Sequence, residues 1–143
     1  MIESIVVKTF KELEIIERER LLELTKEGPS VFRNWLTDKD QSNKYSSMIY
    51  LDNQIVGWAA AGPAVAAIQV GAYVDPEYQH RSFGTKVLMA LMGHITGLKV
   101  GRYIQYEFGY RDFFQPVLDK YGFQFHSQQG KVVFAENIKD HKD

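Results

Sequence analysis

The sequence of 143 residues contains no cysteine. That excludes disulfide scaffolds, cysteine-ligated zinc sites and thiolate nucleophiles together, and suits a reducing compartment. It has no excess charge of either sign: 17 Lys and Arg stand against 18 Asp and Glu, a net of −1. No global field attracts a polyanion, so nucleic acid is not an expected partner. Long apolar runs are missing too. The most apolar stretch, 55–72, is broken by Gly57, Gly62, Pro63 and Gly71, a pattern of strands and a turn and not of a spanning helix of roughly 20 residues. With an early Glu3 and no basic leader, a cytoplasmic protein with no membrane partner is expected. The four histidines, His80, His94, His126 and His141, form no HxH or HExxH spacing, and no metal site is expected.

What is present is enough apolar material for a core, 45% hydrophobic and 13% aromatic with 24% charged, outside the regime of disordered chains. The length suits one domain over 1–143, with the charged tail 136–143 expected to fray. Ser4 to Lys8 reads as a strand, and Thr9-Phe10-Lys11-Glu12 has capping-box spacing for a helix start. Leu13, Ile16, Leu21 and Leu24 fall on one helical arc, which Gly28-Pro29 ends. Phe32, Trp35 and Leu36 suggest a second, shorter helix, followed by a polar loop to Tyr45. Ser47 to Leu51 and Ile55 to Ala61 flank Asp52-Asn53-Gln54 as a hairpin. In Ala67 to Val74, Ile68, Val70, Ala72 and Val74 share one face of a strand and Gln69, Gly71 and Tyr73 the other. Thr85 to Ile95 carries a broad helical stripe. A strand from Arg102, a helix from Asp112 to Tyr121 and a closing hairpin around Gln129-Gly130 complete the order βααβββαβαββ, an α/β (α+β) chain of about seven strands and four helices.

Chemistry concentrates between Tyr73 and Thr85, where a strand passes through a polar turn into an amphipathic helix. The first-turn amides of a helix lack intrahelical partners, and the macrodipole adds roughly half a positive charge there, so an anion is stabilised by main chain alone. Gln79 and Arg81 add donors, the Ser82 hydroxyl a further one, and Gly84 lets backbone approach without a Cβ. Pyrophosphate is the natural guest. The alternative is that Gly84 only eases a tight turn while His80 and Arg81 are solvated. No Gly-Lys-Ser/Thr follows, and the three-glycine dinucleotide spacing is absent, so neither of those nucleotide-binding loops is present.

Val74-Asp75-Pro76 followed by Gln79-His80-Arg81-Ser82-Phe83-Gly84 resembles the GNAT superfamily of acyl-CoA-dependent N-acetyltransferases, whose signature is Gln/Arg-x-x-Gly-x-Gly/Ala after a strand and a Val-x-Pro turn. Asp52 to Gly57 resembles the family's second hairpin, and Asp119-Lys120-Tyr121-Gly122-Phe123 its closing Glu-Lys-x-Gly-Phe. The resemblance implies the GNAT fold, a mixed twisted sheet whose fourth and fifth strands splay around the pantetheine arm of acetyl-CoA. Tyr73 and Val74 would offer backbone bonds to that arm, and the loop Gln79, His80, Arg81, Ser82, Phe83, Gly84 and Thr85 would wrap the pyrophosphate. It also implies direct attack of an amine on the thioester. The acceptor, a small-molecule or protein amine, would lie beside the first two helices and the closing hairpin. Phe32, Trp35 and Tyr45 are either walls of that pocket or core. A homodimer is left open.

The sequence departs from the family at several points. The first glycine of the signature is Ser82. A positive φ there would cost of order 1 kcal/mol, and the helical conformation, which sets the hydroxyl beside a phosphate, is expected instead. Counting back from Gly122-Phe123, the family's cofactor-touching Asn and proton-donating Tyr are Arg111 and Leu118, although Pro116 makes that count insecure. Tyr121 or Tyr110 is the substitute acid. The fourth strand carries no carboxylate, so Glu107 on the fifth is the substitute base, or else a surface carboxylate in an ion pair. The Val74 amide would polarise the thioester carbonyl. His126 faces an acceptor or holds an ordinary strand position. The alternatives to an enzyme are a non-catalytic acyl-CoA-binding sensor or interaction module of the same fold, and a domain that binds no cofactor.

Overall fold

The computed structural model describes residues 2–79, 81–98 and 101–138; His80 and 139–143 lie outside them. The elements are β1 (Glu3–Thr9), α1 (Ile15–Leu24), α2 (Ser30–Thr37), β2 (Tyr45–Leu51), β3 (Gln54–Pro63), β4 (Ile68–Val74), α3 (Phe83–Thr96), β5 (Tyr103–Glu107), α4 (Arg111–Lys120), β6 (Phe123–Gln129) and β7 (Val132–Asn137). This is the order that residue periodicity gives. The strands form one mixed seven-stranded sheet in the order β1-β2-β3-β4-β5-β7-β6. Every neighbouring pair is antiparallel except β4 with β5, which is parallel. None of the described helices is long and apolar enough to cross a membrane.

Strand alternation splits the core in two. Val70 of β4 and Ile104 and Tyr106 of β5 face α3 and α4, packing with Val87, Leu88, Leu91, Met92 and Ile95 of the α3 stripe. Burial of each such side chain is worth about 1.5–3 kcal/mol. On the other face Phe10, Leu21, Leu24, Phe32, Trp35 and Trp58 pack under α1 and α2. Three glycines let these helices sit close to the sheet. A Cβ on Gly71 would meet the Phe32 ring at 2.7 Å, one on Gly62 the Trp35 ring at 2.7 Å, and one on Gly28 the Tyr73 ring at 3.0 Å.

Four expectations are corrected. Thr9 opens only a 3₁₀ turn, Phe10–Glu12, closed by Glu12 accepting from the Thr9 amide and hydroxyl, each at 2.9 Å. The helix proper starts at Ile15, where the Glu14 amide donates to Glu17 Oε1 at 2.9 Å. Ile16 is consequently off the buried arc, 72% exposed, as is Ile15 at 77%. Their place is taken by Glu17, which also accepts from Lys8 Nζ at 2.8 Å and the Tyr50 hydroxyl at 2.8 Å. Ser82 is left-handed, φ 65° and ψ 11°, and not helical. The tail does not begin at Glu136, because Glu136 and Asn137 pair with Tyr103 and Phe123 inside the sheet.

Candidate active site

The parallel pair β4–β5 is joined only at Ile68 with Ile104 and Gln69 with Gln105. Beyond those residues β4 runs on to Val74 and β5 to Glu107 without further pairing, so a gap opens between two strands of one sheet. Ladder parity decides what faces it. The Asp75 amide donates to Val56 O at 2.9 Å, and the register places Val74 against Gly57. In an antiparallel ladder hydrogen-bonded and non-bonded pairs alternate. The amides and carbonyls of Val74 and Ala72 therefore point away from β3, into the gap. Those of Tyr73 face Trp58 of β3 instead, so the expected backbone bonds from Tyr73 to a ligand are not available and only its side chain lines the cleft. The Val74 carbonyl already accepts from Gln79 Nε2 at 3.1 Å, leaving its amide as the group of that residue available there.

A cleft of about 820 Å³ occupies the gap, within the usual size range of small-molecule sites. One end is the start of α3. The first bond of the α3 ladder is Lys86 N to Ser82 O at 3.0 Å, so the amides of Phe83, Gly84 and Thr85 precede any intrahelical partner. Ser82 does not cap the helix with its side chain. Its left-handed backbone turns the chain sharply at the helix mouth, and Ser82, Phe83, Gly84 and Thr85 all line the cleft. The turn before it is braced by Asp75, whose carboxylate accepts from the Glu77 amide at 3.0 Å and whose carbonyl accepts from Tyr78 N at 2.8 Å. Arg20 of α1 reaches the same carboxylate at 3.6 Å while its Nε donates to Ile55 O at 2.9 Å. This turn is thus tied to α1 on the opposite face of the sheet.

Among the sequence-derived candidates, Tyr73, Val74, Gln79, Ser82, Phe83, Gly84, Thr85, Phe32, Glu107 and Tyr110 are brought to this cleft. Arg81 is exposed beside it, its guanidinium 5.6 Å from the Tyr78 ring centre; His80 is outside the described residues. Gly84 has a second role: a Cβ there would meet Phe113 at 3.3 Å and Val74 at 3.5 Å, so its missing side chain also lets α3 close against α4. Three candidates are not at the cleft. Tyr121 donates its hydroxyl to Met89 O at 2.9 Å, which fixes it between α4 and α3. Trp35 is core, packed on Phe10, Phe32 and Gly62. Tyr45 lies beside His94, ring centres 5.9 Å apart, over the α3 face of β2. Phe32 is both core and wall, its ring tilted against Trp58 with centres 4.7 Å apart while its ring edge meets Gly71.

Leu118, at the family's acid position, is 0% exposed within the α3–α4 core. Arg111, at the Asn position, lies with its guanidinium 4.0 Å from the Phe125 ring centre, toward β6. His126 is exposed and stands 5.3 Å from the Tyr103 ring, away from the cleft lining. The cleft also takes in Glu27, Gly28, Tyr78 and Phe113, none of which periodicity singled out. Gly28 was legible only as a helix stop, and Phe113 only as one of two adjacent aromatics in a helix. Gln115 of α4 ties that helix to β5 and β6. It accepts from the Tyr106 hydroxyl at 2.7 Å and donates to Asp119 at 2.8 Å and Phe123 O at 3.0 Å. Burial, above all, pushes the Tyr106 phenol up to about 12, so it stays a neutral donor in this network.

The acetyltransferase (GNAT) family model matches residues 10–114, which includes β4, the turn and α3. No curated protein matches the sequence significantly. Among solved structures, the chain is similar to the ribosomal-protein-S18-alanine N-acetyltransferase from Escherichia coli, with TM-score 0.64 and 11% identity, covering 92% of both chains. It is similar to the PaiA N-acetyltransferase from Thermoplasma acidophilum in complex with coenzyme A, with TM-score 0.60 and 16% identity over 94% of this chain and 98% of that one. An aminoglycoside 6'-N-acetyltransferase complexed with coenzyme A gives TM-score 0.59 and 11% identity, covering 91% and 94%. At these identities the likeness is one of fold. With the family model spanning most of the chain and the splayed strands leading to the mouth of α3, the chain belongs to the GNAT acetyltransferase family.

Proposed function

We propose that the protein is a single-domain N-acyltransferase that moves an acetyl group from acetyl-CoA to a primary amine by direct attack. The observation that carries this is the gap past Gln69 and Gln105, which leads to the amides at the start of α3. The residues fit such a donor. Three first-turn amides and the helix dipole suit a diphosphate, and Val70, Ala72, Val74 and Phe113 give the gap apolar walls for an acyl arm. Bound acetyl-CoA supplies a thioester carbonyl for the amine to attack and a thiolate to leave.

The chain's own groups then divide the work. The Val74 amide, directed into the gap, donates a hydrogen bond where negative charge develops on the carbonyl oxygen, an effect typically worth about 2.7–4 kcal/mol per donor. An alkylamine arrives protonated at neutral pH, with a pKa near 10.4 for a lysine-like amine, and must lose that proton. Glu107 takes it, directly or through a water. Tyr110, at the same rim, holds a proton for the departing thiolate. Both side chains are exposed, so the larger contribution comes from juxtaposition of amine and thioester, roughly 7–11 kcal/mol against 10²- to 10⁴-fold for the base.

A second reading, an acyl-CoA-binding module without turnover, is favoured by one observation: Leu118 is core and Tyr121 is committed to Met89. Acetyl-CoA binding measured by thermal shift, followed by release of free CoA with a panel of amines, tests both. Binding with release supports the enzyme, binding without release supports the module, and no binding removes both. Glu107→Gln is expected to flatten the acid limb of the pH profile of turnover; an unchanged profile acquits Glu107.

A further inference from the structure

Side-chain parity divides the cleft into two lobes with different charge. On β5, Ile104 and Tyr106 face α3 and α4, so Gln105 and Glu107 project from the opposite face. On β4, Gln69, Gly71 and Tyr73 project from that same opposite face, where Phe32 packs on Gly71 and Gly28 on the Tyr73 ring. The α3 lobe holds the unpartnered amides of Phe83 to Thr85 and suits anions. The α1–α2 lobe holds two carboxylates, Glu27 from the helix bank and Glu107 from the β5 bank, the charged side chains that line the cleft among the described residues.

No described lysine or arginine lines the cleft. Neither carboxylate has a hydrogen-bond or ion-pair partner among the described residues, and Lys26, next to Glu27, is taken by Glu23 at 3.3 Å. The lining also includes the aromatic rings of Phe32, Tyr73 and Tyr110, which favour cations over anions. Both carboxylates line the cleft and are exposed, and each is a negative charge that a cation on a bound molecule can answer. One protonated amine answers one carboxylate. The second calls for a second cation on the same molecule.

Resting on the acyltransferase reading above, we infer that the α1–α2 lobe selects a small acceptor carrying two positive charges, a diamine or polyamine-like molecule. The reacting amine lies toward Glu107 and the distal ammonium toward Glu27. An amino acid is disfavoured, because its carboxylate would meet Glu27 or Glu107 with no described lysine or arginine in the lining to answer it. A small molecule is favoured over a basic peptide because about 820 Å³ must hold the acyl arm as well.

The test uses three acceptors with a four-carbon backbone and one primary amine, differing at the far end: 1,4-diaminobutane, butylamine and 4-aminobutyrate. With acetyl-CoA as donor, kcat/KM is expected to be about two- to fivefold higher for the diamine than for butylamine, as one exposed charge pair provides, and lowest for 4-aminobutyrate. By calorimetry on the CoA complex, Glu27→Gln is expected to weaken 1,4-diaminobutane binding about two- to fivefold and to remove its preference over butylamine. Equal kcat/KM for the diamine and butylamine overturns the inference while leaving the acyltransferase reading intact, as does preference for 4-aminobutyrate or an unchanged affinity in Glu27→Gln. A lysine-containing tripeptide preferred over the diamine overturns the small-molecule acceptor. Absence of CoA release with every amine overturns the underlying reading, and this inference with it.

Discussion

Ser82 is one of four described non-glycine residues with positive φ, and it stands at the mouth of the cleft. A left-handed backbone costs an L-residue roughly 1–2 kcal/mol. Glycine escapes that strain but loses more backbone entropy on folding, about 0.5–1 kcal/mol. Ser82→Gly is therefore expected to stabilise the protein by about 0.5–1 kcal/mol, a rise in Tm of about 1–4 °C for a chain of this length. Ser82→Ala is the control, since it keeps the strained backbone and removes only the hydroxyl, which caps nothing; its Tm should stay within about 1 °C of the parent. Differential scanning calorimetry without ligand reads both, and acetyl-CoA titration then reads the hydroxyl. If the hydroxyl donates to the diphosphate, both variants lose affinity by the same factor, about three- to tenfold for a charge-assisted bond in a solvated site. A fall in Tm for Ser82→Gly, or an equal rise for Ser82→Ala, refutes the strain argument.

Three other outcomes follow from packing and charge. Gly71→Ala places a Cβ 2.7 Å from the Phe32 ring, an overpacking expected to cost about 1–3 kcal/mol and to lower Tm measurably; an unchanged Tm contradicts the seating of α2 on β4. Arg20→Ala removes the tie between α1 and Asp75, and because the pair is partly exposed the stability loss should stay near 1 kcal/mol while the KM for acetyl-CoA rises and kcat changes little. A loss confined to kcat would contradict that role. At Glu17, burial would raise the carboxyl, but bonds from the Glu14 amide, Lys8 and Tyr50 outweigh it and hold it below the usual range. Its stabilisation is complete above the unfolded value of about 4.3 and is lost as pH falls through the lower folded value. Glu17→Gln, costing about 2 kcal/mol at neutral pH, should lose most of its difference from the parent in acid melts; a pH-independent difference refutes the linkage.

The parts of the fold visible in sequence are those where one period dominates. The α3 stripe is wholly buried from Val87 to Ile95, and the alternation of β4 correctly sends Val70 one way and Tyr73 the other. The start of α1 was obscured because the Thr9 and Glu12 side chains satisfy a single 3₁₀ turn as well as they would a helix, and the helix then begins after Leu13 with a phase that exposes Ile15 and Ile16. Ser82 was misjudged because nothing in a serine side chain reports backbone handedness, whereas the chain reversal before α3 demands it. The anion-receptive half of the site was legible, since its chemistry lies in consecutive residues. The other half was not. Glu27, Gly28 and Tyr110 come together only through the α1–α2 seating and the β4–β5 gap, and Tyr121 is withdrawn by a carbonyl on a different helix.

The most direct test of the account is the electron density of crystals grown with CoA. The account predicts the diphosphate within hydrogen-bond reach, about 2.7–3.2 Å, of the amides of residues 83–85, with the pantetheine arm between β4 and β5 beside the Val74 amide. Density for the cofactor elsewhere on the surface, or a gap closed by continued β4–β5 pairing, contradicts it.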